Sequence, residues 1–155
     1  MPILRRILRS RAAAALGAVA LATTGTVGLT AGAANAIPRT NYCGSSYAFL
    51  KSWPIEWRTL PGGYIDVYYN SSNGYNCVIS RTNDNVINSA WDIMVGVRKS
   101  SGGAWLRDGD KPGQNFTKYA GPVYIHAPNT CIDIYGAFDT SGGGAGNGHN
   151  NVHCG

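Results

Sequence analysis

Acidic residues are scarce in this chain, and helix-favouring residues are scarce after position 36. Asp and Glu together number 8 in 155 residues, and Glu56 is the only glutamate. Gly, Asn, Ser and Thr are abundant instead, and this composition is typical of short strands joined by turns. The scarcity of helix formers therefore argues against a helical bundle and favours an all-β fold.

The sequence also lacks the short motifs of several catalytic and metal-binding classes. No G-x-S-x-G occurs, so the nucleophile elbow of the α/β-hydrolases is missing. No C-x-x-C occurs either, which argues against a cysteine-ligated metal site. We therefore predict no catalytic residues, no cofactor and no metal, so that the protein is not expected to be an enzyme.

The first 36 residues have the pattern of an export signal. Four arginines lie between positions 5 and 11, and no charged residue follows up to position 36. The stretch ends on Ala34-Asn35-Ala36, a small-x-small sequence of the kind that signal peptidase cuts. We therefore predict a signal peptide over residues 1–36 and a single secreted β domain over residues 37–155. Both the general secretory and the twin-arginine routes remain open.

Removal of this leader changes the charge of the protein. The leader holds 4 of the 13 Lys and Arg residues and none of the 8 acidic residues, which leaves 9 basic and 8 acidic groups. Nucleic-acid binding needs clustered basic residues, so we expect no nucleic-acid partner. The alternative to cleavage is a membrane anchor. Because Ala, Gly and Thr dominate the uncharged stretch, it is weak membrane material, and we expect no membrane span after cleavage.

All four cysteines lie after the predicted leader, at Cys43, Cys77, Cys131 and Cys154. An even number of cysteines in a small exported domain predicts two disulfides. Three pairings are possible, and we favour Cys43–Cys77 with Cys131–Cys154 because sequence neighbours close the shorter loops. Each disulfide would stabilise the fold by about 3–4 kcal/mol in the chain-entropy account.

Alternation of apolar and polar side chains predicts the strands of a small disulfide-stapled antiparallel β-sandwich or partly open barrel. The clearest hairpin spans residues 64–82 around Asn73-Gly74, while residues 89–98 suit a strand better than the alternative helix. Pro61-Gly62-Gly63 predicts a turn, and the chain from Gly136 onward predicts an irregular tail. Further strands are predicted at residues 55–60, 104–107, 116–119, 123–127 and 131–135.

Aromatic residues provide the one positive indication of binding. All nine Tyr, four Trp and three Phe lie after the predicted leader. Tyr64, Tyr68 and Tyr75 belong to the first hairpin and could form an exposed platform, because aromatic faces bind sugars and other surfaces by stacking. The competing interpretation is that these rings fill the core of a small β domain.

Two short patterns resemble metal sites but lack ligands. His149 and His153 form H-x-x-x-H, which suits zinc on a helix, but the neighbouring Gly and Asn residues do not favour a helix. Asp108-Gly109-Asp110 resembles the start of a calcium loop without the acidic ligand needed later. We therefore expect both patterns to be ordinary turn or surface residues. His126 could act as a base, but the spacing assigns it no acid or serine partner.

Several blocks of the chain resemble the streptomycete spore-associated protein A family. They are YNSSNGYNCV at 69–78, YAGPVYIHA at 119–127, CIDIYG at 131–136, the opening Cys43-Gly44 and the ending Cys154-Gly155. The resemblance implies an exported protein found with the spore surface, and it brings no catalytic residues with it. Its implied partners are components of the spore or cell-wall surface.

Three functional classes remain open at this point. A non-catalytic protein of the spore or cell surface is favoured, because catalytic motifs are missing and the resemblance points there. The alternative is a small secreted inhibitor of proteases or glycosidases, with residues 108–115 as its binding loop, since a rigid loop loses little entropy on binding. The third class is a small hydrolase whose site has no recognised motif.

We predict that the exported protein begins at Ile37. The basic start, the uncharged stretch and the Ala34-Asn35-Ala36 ending all place the cleavage after Ala36. Intact-mass and N-terminal analysis of the extracellular protein would measure this directly. An extracellular product that still carries the arginines of positions 5–11 would contradict the prediction.

Overall fold

A computed structural model of the chain describes residues 39–84 and 86–155, so the predicted signal peptide lies outside the described residues. The described residues form strands, turns and loops without a helix, which confirms the predicted all-β class. None of them belongs to a helix that could cross a membrane. The strands are β1 (Ala48–Trp57), β2 (Leu60–Asn70), β3 (Tyr75–Thr82), β4 (Ala90–Lys99), β5 (Leu106–Asp108), β6 (Tyr119–His126), β7 (Ile132–Thr140) and β8 (Ala145–Val152).

Two antiparallel sheets of four strands each make up the fold. The first sheet has the order β1-β2-β3-β6, and the second has the order β5-β4-β7-β8. Their inner faces pack against each other, and the sheets do not close into a barrel. Of the two predicted architectures, the β-sandwich is therefore the one that the protein adopts.

Alternate residues of the central strands form the core between the sheets. Ile65 and Val67 of β2 face Val95 of β4 and Ile134 of β7 across the interior, and each is at most 1% exposed. This is the period of two expected for strands with one buried face. Full burial of such a side chain stabilises the fold by roughly 1.5–3 kcal/mol. Ile65 and Val67, which the alternation of residues 64–69 places on one face, thus both point into the core.

The two predicted disulfides are both present in the structure, and no described cysteine is free. Cys43–Cys77 ties the segment before β1 to the outer face of the first sheet. A second, smaller cluster of buried residues surrounds this bond and includes Tyr68 and Ile79. Cys131–Cys154 ties the C-terminal residues to the start of β7.

Pro61-Gly62-Gly63 is part of β2, so the turn predicted there is wrong. The chain reverses at Arg58 and Thr59 instead, between Trp57 and Leu60, which pair with each other. The two glycines serve a packing requirement. A Cβ on Gly62 would lie 2.5 Å from the Phe138 ring, and one on Gly63 would lie 2.5 Å from a backbone carbonyl.

The chain after Gly136 is regular, so the predicted irregular tail is also wrong. β7 continues to Thr140, and β8 pairs with it in antiparallel register. Gly and Asn have low strand propensity, but here the hydrogen bonds to a buried neighbouring strand decide the conformation.

Residues 116–118 precede β6 without forming the predicted strand, and β6 continues through Gly121-Pro122 with a register shift. Residues 90–99 form a strand, as favoured over the helix.

We predict that Gly62→Ala destabilises the protein while Gly148→Ala does not. The new methyl group at position 62 would meet Phe138 and Trp57 below 3.0 Å, and overpacking of this kind costs about 1–3 kcal/mol. At Gly148, on the edge strand β8, the nearest atom would lie at an ordinary 3.4 Å. Denaturant unfolding of the disulfide-intact variants would measure both changes. Equal stabilities for the two variants would contradict the prediction.

Candidate functional site

The three tyrosines of the predicted platform share one face of the first sheet but do not form an exposed platform. In the β2–β3 register, Tyr64 lies opposite Arg81, Tyr68 opposite Cys77, and Tyr75 opposite Asn70. Tyr68 is only 2% exposed, because it belongs to the buried cluster around the Cys43–Cys77 disulfide. Burial also raises the pKa of the Tyr68 hydroxyl. The platform prediction is therefore wrong for Tyr68, while Tyr75 remains exposed and Tyr64 is half-buried.

Aromatic rings from more distant parts of the chain join the same face. Tyr42 stacks on Tyr119 with their ring centroids 4.1 Å apart, and Tyr47 lies 5.5 Å from Tyr124. These contacts form because Cys43–Cys77 holds the N-terminal segment across the sheet. We call this surface the aromatic face; it consists of Tyr42, Tyr47, Phe49, Tyr64, Tyr68, Tyr75, Tyr119 and Tyr124.

The aromatic face is well exposed at four of its rings. Tyr42 is 43% exposed, Phe49 39%, and Tyr75 and Tyr124 38% each. Sequence reasoning found Tyr75 and missed the other three. No local pattern identifies them, because Tyr42 comes from the segment that the disulfide holds over the sheet, Phe49 from β1 and Tyr124 from β6. The structure thus replaces the predicted three-tyrosine platform with a larger surface.

A buried ion pair supports this face from within the sheet. Arg81 donates a hydrogen bond from Nε to Asp66 Oδ2 over 2.6 Å, and the Ser52 hydroxyl donates to the other oxygen of Asp66. Asp66 is 1% exposed, and the guanidinium of Arg81 lies 4.7 Å from the Tyr64 ring centroid. Because a buried carboxylate is costly without partners, these contacts indicate a structural role for Asp66.

The second sheet contains a comparable ion pair on its own outer face. Asp133, 3% exposed, accepts hydrogen bonds from the Ser100 hydroxyl, the backbone N–H of Asn151 and Arg98 Nε. The Ser100 hydrogen bond is the main cause that lowers the pKa of Asp133, and the other two donors add to it against the effect of burial. Arg98 in turn lies over the Trp105 ring.

A second cluster forms where the open edges of the two sheets meet. Trp53 of β1 lies against His149 of β8, with 4.2 Å between ring centroids, and its Nε1 donates to His153 Nε2 over 3.4 Å. The ammonium group of Lys51 lies 3.8 Å from the centroid of the Trp53 ring. Asn147 of β8 bonds to the backbone of β1 beside this cluster. The sequence separates these groups by about a hundred positions, and only the sandwich brings them together.

Burial lowers the pKa of both His149 and His153, and the nearby positive charge of Lys51 lowers each of them further. The hydrogen bond from Trp53 also requires an unprotonated Nε2 on His153. His149 Nε2 is buried and has no hydrogen-bond partner among the described residues. These interactions therefore favour the neutral form of both imidazoles.

The two sequence patterns that resemble metal sites, His149-x-x-x-His153 and Asp108-Gly109-Asp110, lie at the end of β8 and at the start of the 108–115 loop. His149 lies on a strand and His153 just beyond it, and within residues 39–84 and 86–155 no group of three His, Cys, Asp or Glu side chains could hold a metal ion. Asp108 instead accepts hydrogen bonds from Gln114 and from the backbone of Gly121. These bonds order the 108–115 loop from inside.

An open cavity of about 190 Å³ adjoins this cluster at one end of the sandwich. Asn76 of β3 is the most buried polar residue of its lining, with 2% of its surface exposed. The cavity is lined by Leu50, Tyr69, Asn76, Ala127, Asn129, His153 and the C-terminal glycine.

Comparison with known proteins finds one informative relative. The chain is 35% identical over 107 residues to spore-associated protein A of Streptomyces coelicolor, and the match covers 66% of this chain and 62% of the relative. The chain thus spans about three fifths of that relative's length. No family model matches the chain, and no solved structure matches it.

We predict that stability falls between pH 7 and pH 5 because of His149 and His153. A histidine whose folded pKa is lowered contributes stability that is present above the unfolded pKa of about 6.5 and is lost as the pH falls through the folded value. Replacement of both by Gln should therefore reduce the loss of stability over this range. Unfolding free energies at pH 7 and pH 5 would measure it.

Asp133→Asn is the control for this pH dependence. The pKa of Asp133 is lowered from its ordinary value of 3.8, so its contribution is retained above that pH and lost below it. The Asn variant should be less stable at both pH values and keep the slope between them. A slope that survives in the double histidine variant would contradict the assignment to the histidines.

Proposed function

Because this chain belongs to the family of spore-associated protein A, we propose that it is a non-catalytic extracellular protein attached to the spore or cell-wall surface. The name of the Streptomyces relative supports the location. The two disulfides support an oxidising, extracellular environment, since such bonds persist outside the cytoplasm.

The aromatic face is the observation that carries the proposed mode of attachment. Four of its rings each leave more than a third of their surface exposed, and large exposed apolar patches mark interaction sites. The predicted exported chain has 9 basic and 8 acidic groups, so a mainly ionic attachment has little net charge to support it. Apolar and stacking contacts would instead hold the protein on its surface.

The state of the reactive side chains supports a role without catalysis. Both buried carboxylates, Asp66 and Asp133, are engaged by an arginine and a serine. All four cysteines form disulfides. These groups are used to hold the fold together, which favours binding over turnover.

We predict that the protein fractionates with spores or hyphae and that detergent releases more of it than salt does. Salt screens exposed charges but strengthens apolar association. The protein would be immunodetected in spore, hyphal and medium fractions after washes with mild detergent or with about 1 M salt, a concentration at which exposed charges are largely screened. Salt release equal to detergent release would contradict the apolar mode.

A pair of matched variants tests the surface itself. Tyr42→Ser with Tyr75→Ser removes rings that are 43% and 38% exposed on the aromatic face. The control, Leu106→Ser with Tyr135→Ser, removes side chains of 43% and 37% exposure from the second sheet. We expect the first variant to shift into the medium and the control to remain attached.

The inhibitor function is the competing outcome of the same experiment. The 108–115 loop is ordered by Gln114, whose side chain bonds to the backbone of Gly109 and Lys111 and to the Asp108 carboxylate. A protein found wholly in the medium that inhibits a secreted protease or glycosidase stoichiometrically would replace the surface function with this one.

A further inference from the structure

The two sheets meet along one side at a seam between their edge strands, β1 and β8. Each is the last strand of its sheet, so β1 pairs with β2 and β8 pairs with β7. Along this seam Trp53 of β1 and Ala145 and Val152 of β8 are partly buried and pack against the core. Separation of the two strands at the seam would therefore open the edge of the core to solvent.

Side-chain contacts across the seam join β1 to β8, because the backbone hydrogen bonds of each strand run within its own sheet. The Trp53 ring lies against the His149 ring with 4.2 Å between centroids, and Trp53 Nε1 donates to His153 Nε2 over 3.4 Å. Asn147 adds a hydrogen bond from Nδ2 to the backbone carbonyl of Pro54 over 2.9 Å. Trp53 is thus the side chain that both imidazoles hold.

The hydrogen bond between Trp53 and His153 requires a neutral imidazole. His153 Nε2 is its acceptor, and a protonated imidazole has no acceptor nitrogen, because both ring nitrogens then carry a proton. Protonation of His153 would place two N–H donors against each other. The contact that holds Trp53 would therefore become repulsive.

His149 favours the closed seam in the neutral state for a different reason. Its Nε2 atom is buried and has no hydrogen-bond partner among the described residues. A protonated His149 would have a charged N–H donor at this buried position, and a buried charge without a partner is far more costly than a buried neutral nitrogen. The charged ring needs water, which reaches Nε2 when the seam opens.

The charge nearest to the two imidazoles also opposes their protonation. The ammonium group of Lys51 lies 3.8 Å from the centroid of the Trp53 ring, and its positive charge acts on both histidines. Among the described residues neither imidazole has a carboxylate partner in an ion pair. Uptake of a proton at either ring therefore adds repulsion at the seam.

The other titratable groups of the adjoining strands do not offset this repulsion. Asp133 of β7 is bound by an arginine and a serine on the outer face of the second sheet. Glu56 of β1 and Asp139 and Tyr135 of β7 are exposed. Tyr69 of β2 lines the cavity together with His153, and a tyrosine supplies no negative charge near neutral pH.

Both edge strands are held covalently close to the seam. Cys43, shortly before β1, is bonded to Cys77 of β3, and Cys154, directly after His153, is bonded to Cys131. The rest of each strand stays paired with β2 or β7. Release of the side chains at the seam therefore leaves the two sheets connected, and the strands can return to the same position.

We propose that Lys51, Trp53, His149 and His153 form an acid-released latch on this seam. At neutral pH Trp53 joins the two sheets through both imidazoles. When His149 and His153 take up protons, Trp53 is released, the seam opens and the apolar edge of the core becomes accessible while the rest of the sandwich stays folded. The latch does not depend on the proposed surface function, because it rests on the contacts of the seam alone.

Proton exchange of the Trp53 indole in the exported, disulfide-intact protein tests the latch. The NMR signal is identified by its loss in Trp53→Phe, and its exchange rate is divided by that of the indole of Trp91, which is 39% exposed. We expect this ratio to rise at least about tenfold from pH 7 to pH 5, because the two imidazoles take up protons in the open state. A ratio that does not rise would overturn the proposal.

Dilute urea separates release of the latch from global unfolding. Local opening exposes little surface, so exchange of the Trp53 indole should hardly change with urea. Exchange of a core amide such as that of Ile134, which is 0% exposed, should follow the steeper slope of global unfolding. Equal urea dependence for the two protons at pH 5 would mean that the seam opens only when the whole protein unfolds, and the latch would be refuted.

Histidine variants test which groups release the latch. His149→Gln together with His153→Gln should abolish the rise of Trp53 exchange between pH 7 and pH 5. His126→Gln is the matched control, because it changes an exposed histidine of the first sheet that lies beside Tyr75, and it should preserve the rise. A rise that survives in the double variant would overturn the proposal.

Lys51→Met provides a second test, which holds even if the double histidine variant does not fold. Methionine keeps an unbranched apolar side chain beside Trp53 but removes the positive charge. Because that charge opposes protonation of both histidines, the variant should open at a higher pH than the unmodified protein. Lys99→Met on β4 is the control and should leave the midpoint unchanged. An unshifted midpoint in Lys51→Met would contradict the latch.

Discussion

The close approach of the two sheets at glycines is the constraint on which the rest of the structure depends. Phe138 of the second sheet fills the space over Gly62 and Gly63 of the first. In return, Ile65 and Ile55 of the first sheet fill the space over Gly136 of the second, where a Cβ would lie 2.7 Å from Ile65. Interiors packed at this density do not accept an added methyl group without rearrangement.

This spacing also positions the candidate sites. When the sheets approach closely, the edge strands β1 and β8 meet, so that Trp53 contacts His149 and His153. At the end of the same interface the core gives way to the cavity lined by Asn76. The positions of Asn76 and of the two histidines are thus consequences of the same packing that stabilises the sandwich.

The outer faces are organised by a different principle. Each sheet carries a buried carboxylate, Asp66 in the first and Asp133 in the second, that is paired with an arginine and bonded to a serine. Each arginine lies over an aromatic ring. Only the first sheet has an additional layer, because Cys43–Cys77 holds the N-terminal segment across it. That layer turns an ordinary strand face into the aromatic face, where a surface partner would dock.

The sequence by itself determined the all-β class, the alternation of residues 64–69 between two faces, the hairpin of residues 64–82 and the favoured disulfide pairing. These features depend on alternation along one strand or on short loops, and both are properties of local sequence. The tertiary structure decided that residues 61–63 and the chain beyond Gly136 are strands, since their conformation depends on Phe138 and on pairing with a buried strand. It also decided that Tyr68 is buried and that Asn76 faces a cavity, because the segments that surround them come from distant parts of the chain.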